Sequence, residues 1–190
     1  MANRLLGVDL SHHNSINFTA LKNGGYVFVI LKATEGENYT DPTFRVRWSA
    51  AKSAGLVRGA YHYYKPGQDP IKQANHFCDK VALLPGDLKL VLDVEEAGPD
   101  LAQHVWDCAV EIKRRTGRLP IIYASDSFWQ TYLQSKFKDF TVWIARYGHA
   151  PITAWTLWQF TDHGNVPGAT GAVDVDTFSG TLEDLKKLCF

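Results

Sequence analysis

The stretch Leu90-Val91-Leu92-Asp93-Val94-Glu95-Glu96 is an apolar run that ends in three acids, and it predicts how the chain folds. A continuous apolar run is typical of a strand that is buried on both faces, as in a parallel sheet. Since successive side chains of a strand point to opposite faces, Asp93 and Glu95 share one face and Glu96 takes the other. We therefore expect a buried strand over residues 88–95 with two carboxyl groups at its carboxyl end.

The spacing of the first two acids has a chemical consequence. Residues at positions i and i+2 of one strand lie about 6–7 Å apart at the backbone. Like charges at that spacing raise one pKa, so that one carboxyl group is protonated and the other is ionised near neutral pH. Cleavage of a glycosidic bond requires such a pair of an acid and an anion. A strand that ends in a solvated acidic turn is the alternative interpretation.

Apolar runs along the whole chain predict eight strands, the first five of which alternate with helical patterns. The alternation indicates a parallel sheet, and eight strands without an obvious edge indicate closure into a barrel. We therefore expect an α/β fold: a modified TIM-like β/α barrel with about five βα units followed by three strands lacking full helices, in a single domain over residues 1–190. The predicted strands are residues 5–10, 26–31, 57–63, 88–95, 120–123, 140–145, 154–160 and 172–175.

Two helices have specific predicted features. Asp41 and Pro42 are predicted to open one helix, as its N-cap and its first helical residue. In the next helix, Ile71, Ala74, Cys78 and Val81 lie at helical spacing and are predicted to share its buried face.

Polar side chains fall at the predicted carboxyl ends of successive strands. In a barrel these ends meet at one face, where such enzymes place their active sites. Asp174 and Asp176 repeat the i, i+2 spacing on the last strand, which would close beside the first strand. At least four carboxyl groups in one place favour a catalytic site. The residues expected at this face are Asp9, Glu35, Tyr63, Asp93, Glu95, Tyr123, Arg146, Gln159 and Asp174.

Composition argues against several other classes of function. The 190 residues carry 20 Lys and Arg against 20 Asp and Glu, so electrostatic capture of nucleic acid or of an anionic membrane is not indicated. No run of 18 apolar residues is present, so we expect no membrane insertion. The three cysteines form no CxxC pattern and the seven histidines are scattered, so we expect no metal site and no cofactor.

Seven motifs along the chain resemble glycoside hydrolase family 25. They are GVDLS (7–11), LKATEG (31–36), GAYHY (59–63), LDVE (92–95), WIARY (143–147), WQF (158–160) and VDVD (173–176). Their order across nearly the whole chain carries the resemblance. The family contains the Chalaropsis-type lysozymes, muramidases that cut peptidoglycan between N-acetylmuramic acid and N-acetylglucosamine. The resemblance implies a barrel with five βα units and three further strands.

Transferred position by position, the resemblance makes Glu95 the general acid and Asp93 its partner in a DxE motif. Asp9 and Asp174 match two further acids of the family's groove, which completes the expected catalytic set. Glu96 follows the motif directly, and strand alternation predicts that it faces away. The expected substrate-binding residues are Tyr61, Tyr63, Glu35, Tyr123, Trp158, Gln159 and Asp176, of which Tyr61, Tyr63, Tyr123 and Trp158 resemble sugar-contacting aromatics.

The residues leave the course of the reaction open. Glu95, its pKa raised by burial and by Asp93, would give its proton to the leaving oxygen. Asp93 would then act as a nucleophile, which requires carboxyl groups about 5–5.5 Å apart, or the 2-acetamido group of the sugar would attack while Asp93 or Asp174 polarises its N–H. Two acids on one strand face favour the second route over inversion by a base across the ring.

Two other functions are compatible with a barrel of this kind. A chitinase-like hexosaminidase requires a DxxDxDxE run, whereas this chain has Lys89-Leu90-Val91-Leu92-Asp93-Val94-Glu95. A non-catalytic cell-wall-binding barrel normally lacks some of the acids, and here none is lost.

The expected partner is the glycan strand of peptidoglycan, bound by a monomer. The chain reaches Asp9 too soon for the apolar core of a signal peptide, and it reaches Phe190 without a cell-wall-binding module. Both features resemble a phage or prophage endolysin. Such an enzyme would be made in the host cytoplasm and would act on the wall after release by a holin-type partner.

Overall fold

The computed structural model describes residues 4–190, and its strands form one large closed sheet and one small pair. In chain order the strands are β1 (Leu5–Leu10), β2 (Ser15–Ile16), β3 (Phe28–Glu35), β4 (Tyr39–Thr40), β5 (Val57–Tyr63), β6 (Val91–Asp93), β7 (Ile121–Ser125), β8 (Val142–Ala145), β9 (Leu157–Gly164), β10 (Ala169–Thr170) and β11 (Val173–Phe178).

The helices follow the first five barrel strands. They are α1 (Phe18–Asn23), α2 (Phe44–Ser53), α3 (Pro70–Lys80), α4 (Leu101–Thr116), α5 (Asp126–Phe128), a π-helical turn (Trp129–Leu133), α6 (Gln134–Phe137) and, at the end, α7 (Leu182–Lys187). Strands β1, β3, β5, β6 and β7 are each followed by a helix, whereas β8, β9 and β11 have no helix between them. This confirms the predicted barrel of five βα units and three further strands.

The barrel runs in the order β1-β11-β9-β8-β7-β6-β5-β3 and is closed by pairing of β1 with β3. All neighbouring strands are parallel except β11, which is antiparallel to both β1 and β9. The predicted fully parallel sheet is therefore wrong for the last strand. Parallel neighbours need a crossover of a dozen or more residues, whereas the short connection between β9 and β11 returns the chain in the opposite direction.

Two apolar layers hold the barrel together. Side chains such as Phe28, Val91 and Leu157 fill its interior, and the alternate residues, such as Val29 and Leu92, pack outward against the helices. Both faces of β6 are buried, as its continuous apolar run predicts. Polar side chains line a cavity at one end of the barrel, the end we call the mouth.

The central strand is shorter than predicted. Strand β6 covers Val91–Asp93, although the Val94 amide still donates to the Tyr123 carbonyl oxygen at 3.0 Å. Glu95 and Glu96 therefore follow the strand rather than belong to it.

Two helix predictions are wrong in detail. Helix α2 begins at Phe44, and Asp41 accepts hydrogen bonds from the amide and hydroxyl of Thr43 instead of capping the helix. In α3, Ile71 is 41% exposed, while Ala74 is buried together with Gln73 and Phe77. Ala74 is thus buried as predicted, and Gln73, which binds His62 and the Lys65 amide, lies on the buried face in place of Ile71.

Within residues 4–190, no helix is both long and apolar enough to cross a membrane. The prediction that the chain has no signal peptide depends in part on residues 1–3, which lie outside the described residues.

Candidate active site

The mouth of the barrel holds a cavity of about 200 Å³. All four predicted catalytic acids line it, together with three of the seven predicted substrate-binding residues and two residues that were not predicted. The lining residues are Asp9, Tyr61, Asp93, Glu95, Tyr123, Trp143, Tyr147, Gln159 and Asp174.

Strand pairing explains how distant parts of the chain meet there. Asp9 on β1 lies directly opposite Asp174 on β11. Asp174 was predicted at the carboxyl end of its strand, but it is the second residue of β11 and reaches the mouth because this strand runs in the opposite direction. Gln159 is the third residue of β9, so it lies within its strand and not at its end.

The carboxyl groups fall on two sides of the cavity. Strands β6 and β11 are separated by β7, β8 and β9 on one side and by β5, β3 and β1 on the other. They therefore lie across the barrel from each other. Asp93 is the last residue of β6 and Glu95 follows it, whereas Asp9 and Asp174 belong to the adjacent strands β1 and β11. A ligand in the cavity would have acids on both sides.

Asp93 and Glu95 form a hydrogen-bonded pair of carboxyl groups. Asp93 is 6% exposed, and its Oδ1 has no hydrogen-bond partner among the described residues. Burial, followed by the negative charge of Glu95, raises the pKa of Asp93 well above its ordinary value. Asp93 is therefore the donor of the hydrogen bond between the two carboxyl groups, and Glu95 accepts it.

Glu95 stands at the solvent-exposed edge of the cavity. Partial desolvation raises its pKa, the hydrogen bond from Asp93 opposes this rise, and the charge of Glu96 adds to it. The predicted rise of the Glu95 pKa is thus present with burial as its largest cause, as predicted, but Asp93 lowers this pKa instead of raising it. A protonated neighbour stabilises a carboxylate by donating to it.

Asp9 is anchored by an amide. Its Oδ2 accepts from Gln159 Nε2 at 2.7 Å, and Gln159 Oε1 accepts from the hydroxyls of Tyr123 at 2.9 Å and Tyr147 at 2.8 Å. Burial and then the charge of Asp174 raise the pKa of Asp9. Burial, followed by the charges of Asp162 and Glu95, raises the pKa of Asp174 to about 6.

Tyr63 and Glu35 lie outside the cavity, in a cluster of charges at its rim. The Lys32 ammonium group binds Glu35 Oε2 at 2.6 Å and stands 5.0 Å from the centre of the Tyr63 ring. The Tyr63 hydroxyl donates to Glu96 Oε1 at 3.1 Å, and Lys65 Nζ binds the same oxygen at 2.5 Å. Glu96 is therefore held at the rim and does not line the cavity, as predicted, although it lies beyond the end of β6.

Trp158 is not brought to the mouth. Because Gln159 points into the barrel, its neighbour Trp158 points outward, where its ring lies 5.5 Å from that of Trp155. Its indole N–H donates to the carbonyl oxygen of Arg146 at 2.7 Å. Arg146 itself turns from the cavity to pair with Asp126 at 2.8 Å. Asp176 is also absent from the cavity lining, since it is fully buried below Asp174.

Three residues at the site escaped the sequence analysis. Trp143 and Tyr147 line the cavity, and both belong to the WIARY motif. Lys32 lies close enough for its charge to lower the pKa of Asp93 and Glu95. Strand alternation could have predicted two of them. Lys32 and Trp143 each lie two residues from a side chain that faces the barrel interior, Ile30 and Ala145, so they face the same way.

The acids do not form a metal centre. Within residues 4–190, no group of three or more histidine, cysteine or acidic side chains is arranged to hold a metal ion. The chemistry that this site can perform on its own is proton transfer and electrostatic stabilisation by carboxyl groups.

Comparisons with known proteins agree with this architecture. The family model described as glycosyl hydrolases family 25 matches residues 8–169. The N,O-diacetylmuramidase of Chalaropsis sp is 31% identical and is matched over 96% of this chain and 97% of its own length. A crystal structure of the bacterial lysozyme from Streptomyces coelicolor superimposes with a TM-score of 0.92 at 31% identity, covering 100% of this chain and 98% of that one.

An Escherichia coli protein (strain CFT073) described as uncharacterized protein YegX is 40% identical over 167 residues, which is 84% of this chain. The match spans 61% of the E. coli protein. The chain therefore corresponds to about three fifths of the length of this relative.

Proposed function

The chain belongs to glycosyl hydrolase family 25, and from this premise we propose that it hydrolyses the β-1,4 bond between N-acetylmuramic acid and N-acetylglucosamine in peptidoglycan. The observation that supports this activity most strongly is the convergence of Asp9, Asp93, Glu95 and Asp174 in one cavity. Glycosidic cleavage needs an acid on one side of the sugar and a negative group on the other.

Glu95 is proposed as the general acid. It stands at the accessible edge of the cavity, and partial burial raises its pKa, which favours the protonated form that an acid catalyst needs. After Glu95 has given this proton to the leaving oxygen, the hydrogen bond from protonated Asp93 stabilises the new carboxylate. Asp93 therefore acts as the buried partner that adjusts the acidity of Glu95.

Asp174 is proposed as the carboxylate that faces the sugar from the other side. It lies across the barrel from the strand that leads to Glu95, and its pKa of about 6 leaves it ionised at neutral pH. A buried, protonated Asp93 is a poor nucleophile. We therefore propose that the 2-acetamido group of the substrate attacks the anomeric carbon while Asp174 polarises its N–H.

Product analysis tests the bond and the stereochemistry. Digested peptidoglycan should release fragments that end in reducing N-acetylmuramic acid, identified by mass spectrometry. Freshly released ends should have retained configuration in NMR spectra. Reducing N-acetylglucosamine would contradict the muramidase assignment, new amines would indicate an amidase, and the absence of new ends would support a binding module. Cleavage of chitin in preference to peptidoglycan would support the chitinase-like alternative.

A matched pair of variants tests the acid. Glu95→Gln keeps the shape of the side chain but cannot deliver a proton, and loss of general acid catalysis should lower kcat by about 10²–10⁴. Glu96→Gln is the same change one residue further on, at a side chain held by Tyr63 and Lys65, and should stay within a few-fold of wild type. Melting curves must show both variants folded. Equal losses in the two variants would contradict the assignment of Glu95.

The synthesis in a host cytoplasm, the release by a holin-type partner, the phage origin, the monomeric state and the single-domain organisation stay predictions from the sequence. The coarser proposal, an enzyme that acts on the bacterial cell wall, does not depend on them.

A further inference from the structure

Asp176 is a buried acid that the proposed reaction does not use. It lies on β11, two residues further into the barrel than Asp174, and it is 0% exposed. Strand pairing sets it beside Gly7 and Gln159. It does not line the cavity, so it cannot touch a ligand there.

The Asp176 carboxyl group has fewer hydrogen-bond donors around it than a buried carboxylate would need. Its Oδ1 accepts from Trp143 Nε1 at 2.9 Å, but its Oδ2 meets no hydrogen-bond donor among residues 4–190. Its carboxyl group instead contacts that of Asp9, which is itself only 7% exposed. A buried charged oxygen without a donor is costly, whereas a protonated oxygen can donate to its neighbour.

Two adjacent buried carboxyl groups cannot both be ionised without compensation. Neither Asp9 nor Asp176 forms an ion pair with a lysine, arginine or histidine of the described residues. One shared proton removes the repulsion between them. Asp9 already accepts from Gln159 and borders the open cavity, whereas Asp176 lies deeper. The proton therefore belongs on Asp176.

We propose that Asp176 is a positioning residue that keeps a proton inside the barrel and donates it in a hydrogen bond to Asp9, so that Asp9 faces the substrate as an oriented anion. The role in catalysis depends on the proposed function of the site. Asp9 would then be held from two sides, by the Gln159 amide and by the Asp176 carboxyl group.

The directions in which the pKa values of Asp176 and Asp9 are shifted agree with this arrangement. Burial, followed by the charge of Asp9, raises the pKa of Asp176 well above its ordinary value, and its contact with Trp143 opposes the rise. The hydrogen bond from Asp176 in turn lowers the pKa of Asp9, against burial and the charge of Asp174. The charged groups facing this pair are Asp174 on the same strand as Asp176 and Glu95 across the cavity. The side chains from β8 and β9, Trp143 and Gln159, are neutral.

The test compares asparagine and leucine at position 176. Asp176→Asn can still donate to Asp9 and accept from Trp143, so kcat/KM should stay within about tenfold of wild type. In a plot of kcat/KM against pH, the fall in activity on the acidic side should occur at the same pH as in wild type. Asp176→Leu removes the donor. The loss should be roughly 10- to 100-fold, as for a hydrogen bond to a charged group, and the acidic limb should move to higher pH because Asp9 is protonated more easily.

Asp9→Asn is the matched control, because the same chemical change there removes the anion itself. It should cost more activity than Asp176→Asn. Equal losses in these two variants would overturn the proposal, since they would show that a negative charge is needed at position 176. An unmoved acidic limb in folded Asp176→Leu would also overturn it.

Infrared difference spectroscopy gives a readout that requires neither activity nor the leucine variant. The spectrum of wild type minus Asp176→Asn at pH 7 should contain the carbonyl band of a protonated carboxyl group. A carboxylate band in its place would contradict the proposal even if the enzyme is active. If wild type releases no reducing ends from peptidoglycan, the proposed function fails, while the infrared result still decides where the proton lies.

Discussion

Single residues at the mouth differ in protonation because their surroundings differ, although all of them are carboxylic acids. Asp93 is enclosed and has a pKa well above its ordinary value, whereas Glu96, held by Lys65 and Tyr63 at the rim, has a lowered pKa. Asp174 lies between these cases, with a pKa of about 6. Burial and hydrogen-bond donors, not residue type, therefore divide the acids into proton donors and anions.

The intermediate pKa of Asp174 is open to a direct test. After burial, the largest cause of its rise is the charge of the exposed residue Asp162. Asp162→Asn removes that charge, so the pKa of Asp174 should fall and the acidic limb of the kcat/KM profile should move to lower pH. The shift should be less than about one pH unit, because exposed charge pairs contribute about 0.2–1 kcal/mol and one unit corresponds to about 1.36 kcal/mol.

Asp139→Asn is a suitable control for this variant, since Asp139 is an exposed acid that precedes β8 at the other end of the barrel. Its acidic limb should coincide with that of wild type. High salt should reduce the effect of Asp162→Asn, because exposed charges are screened. A limb that moves to higher pH would contradict the role given to Asp162.

At the level of elements, closure of the barrel depends on the contact between β1 and β3. Gly7 on β1 pairs with Phe28 on β3, and the buried Phe28 ring occupies the space where a side chain of Gly7 would lie. A Cβ atom at Gly7 would come within 2.2 Å of that ring. The absence of a side chain at this position allows the first strand to complete the ring of eight.

Gly7→Ala should therefore destabilise the protein. Overpacking of a buried site costs about 1–3 kcal/mol, which denaturant unfolding would measure. Gly59→Ala on β5 is the matched control, since its Cβ would meet Leu88 Cδ2 at 3.1 Å, a contact that a small movement relieves. It should cost less than about 1 kcal/mol. Equal stability of the two variants would show that the Phe28 ring moves aside freely.

For the whole molecule, the same buried acids that equip the site reduce its stability at high pH. Asp93 and Asp176 have pKa values raised well above the ordinary value, so they keep protons that the unfolded chain releases above about pH 4. The folded state then binds more protons than the unfolded state. The free energy of unfolding therefore decreases as the pH rises above that value.

Other groups oppose this trend at low pH. Burial lowers the pKa of His62 to about 3, and hydrogen bonds from Thr153 and Arg146 outweigh burial and lower the pKa of Asp126. These groups contribute stability that is lost as the pH falls. We expect the melting temperature to be highest between about pH 4 and 6 and to decline toward pH 9.

Asp176→Asn should flatten the decline at high pH, because it removes one of the buried acids that would have to ionise. Calorimetric melting curves of wild type and variant over this range would measure the difference. Parallel curves for the two proteins would contradict the raised pKa of Asp176. The control Glu183→Gln changes an exposed acid on α7 and should leave the shape of the curve unchanged.

The sequence by itself determined the features that depend on near neighbours along the chain. Apolar periodicity predicted the alternating strands and helices, and the DxE spacing predicted that Asp93 and Glu95 follow one strand face toward the mouth. These features follow from local backbone geometry, which repeats every two residues in a strand and every 3.6 in a helix.

The tertiary structure decided what depends on residues far apart in the chain. The reversed direction of β11 carries Asp174 to the mouth from the start of its strand, and the inward turn of Gln159 sends Trp158 to the outer face. The sequence also could not predict which acid is the hydrogen-bond donor in the pairs Asp93–Glu95 and Asp9–Asp176. Desolvation and the charges of partners from other strands set each pKa, and only the folded chain brings these together.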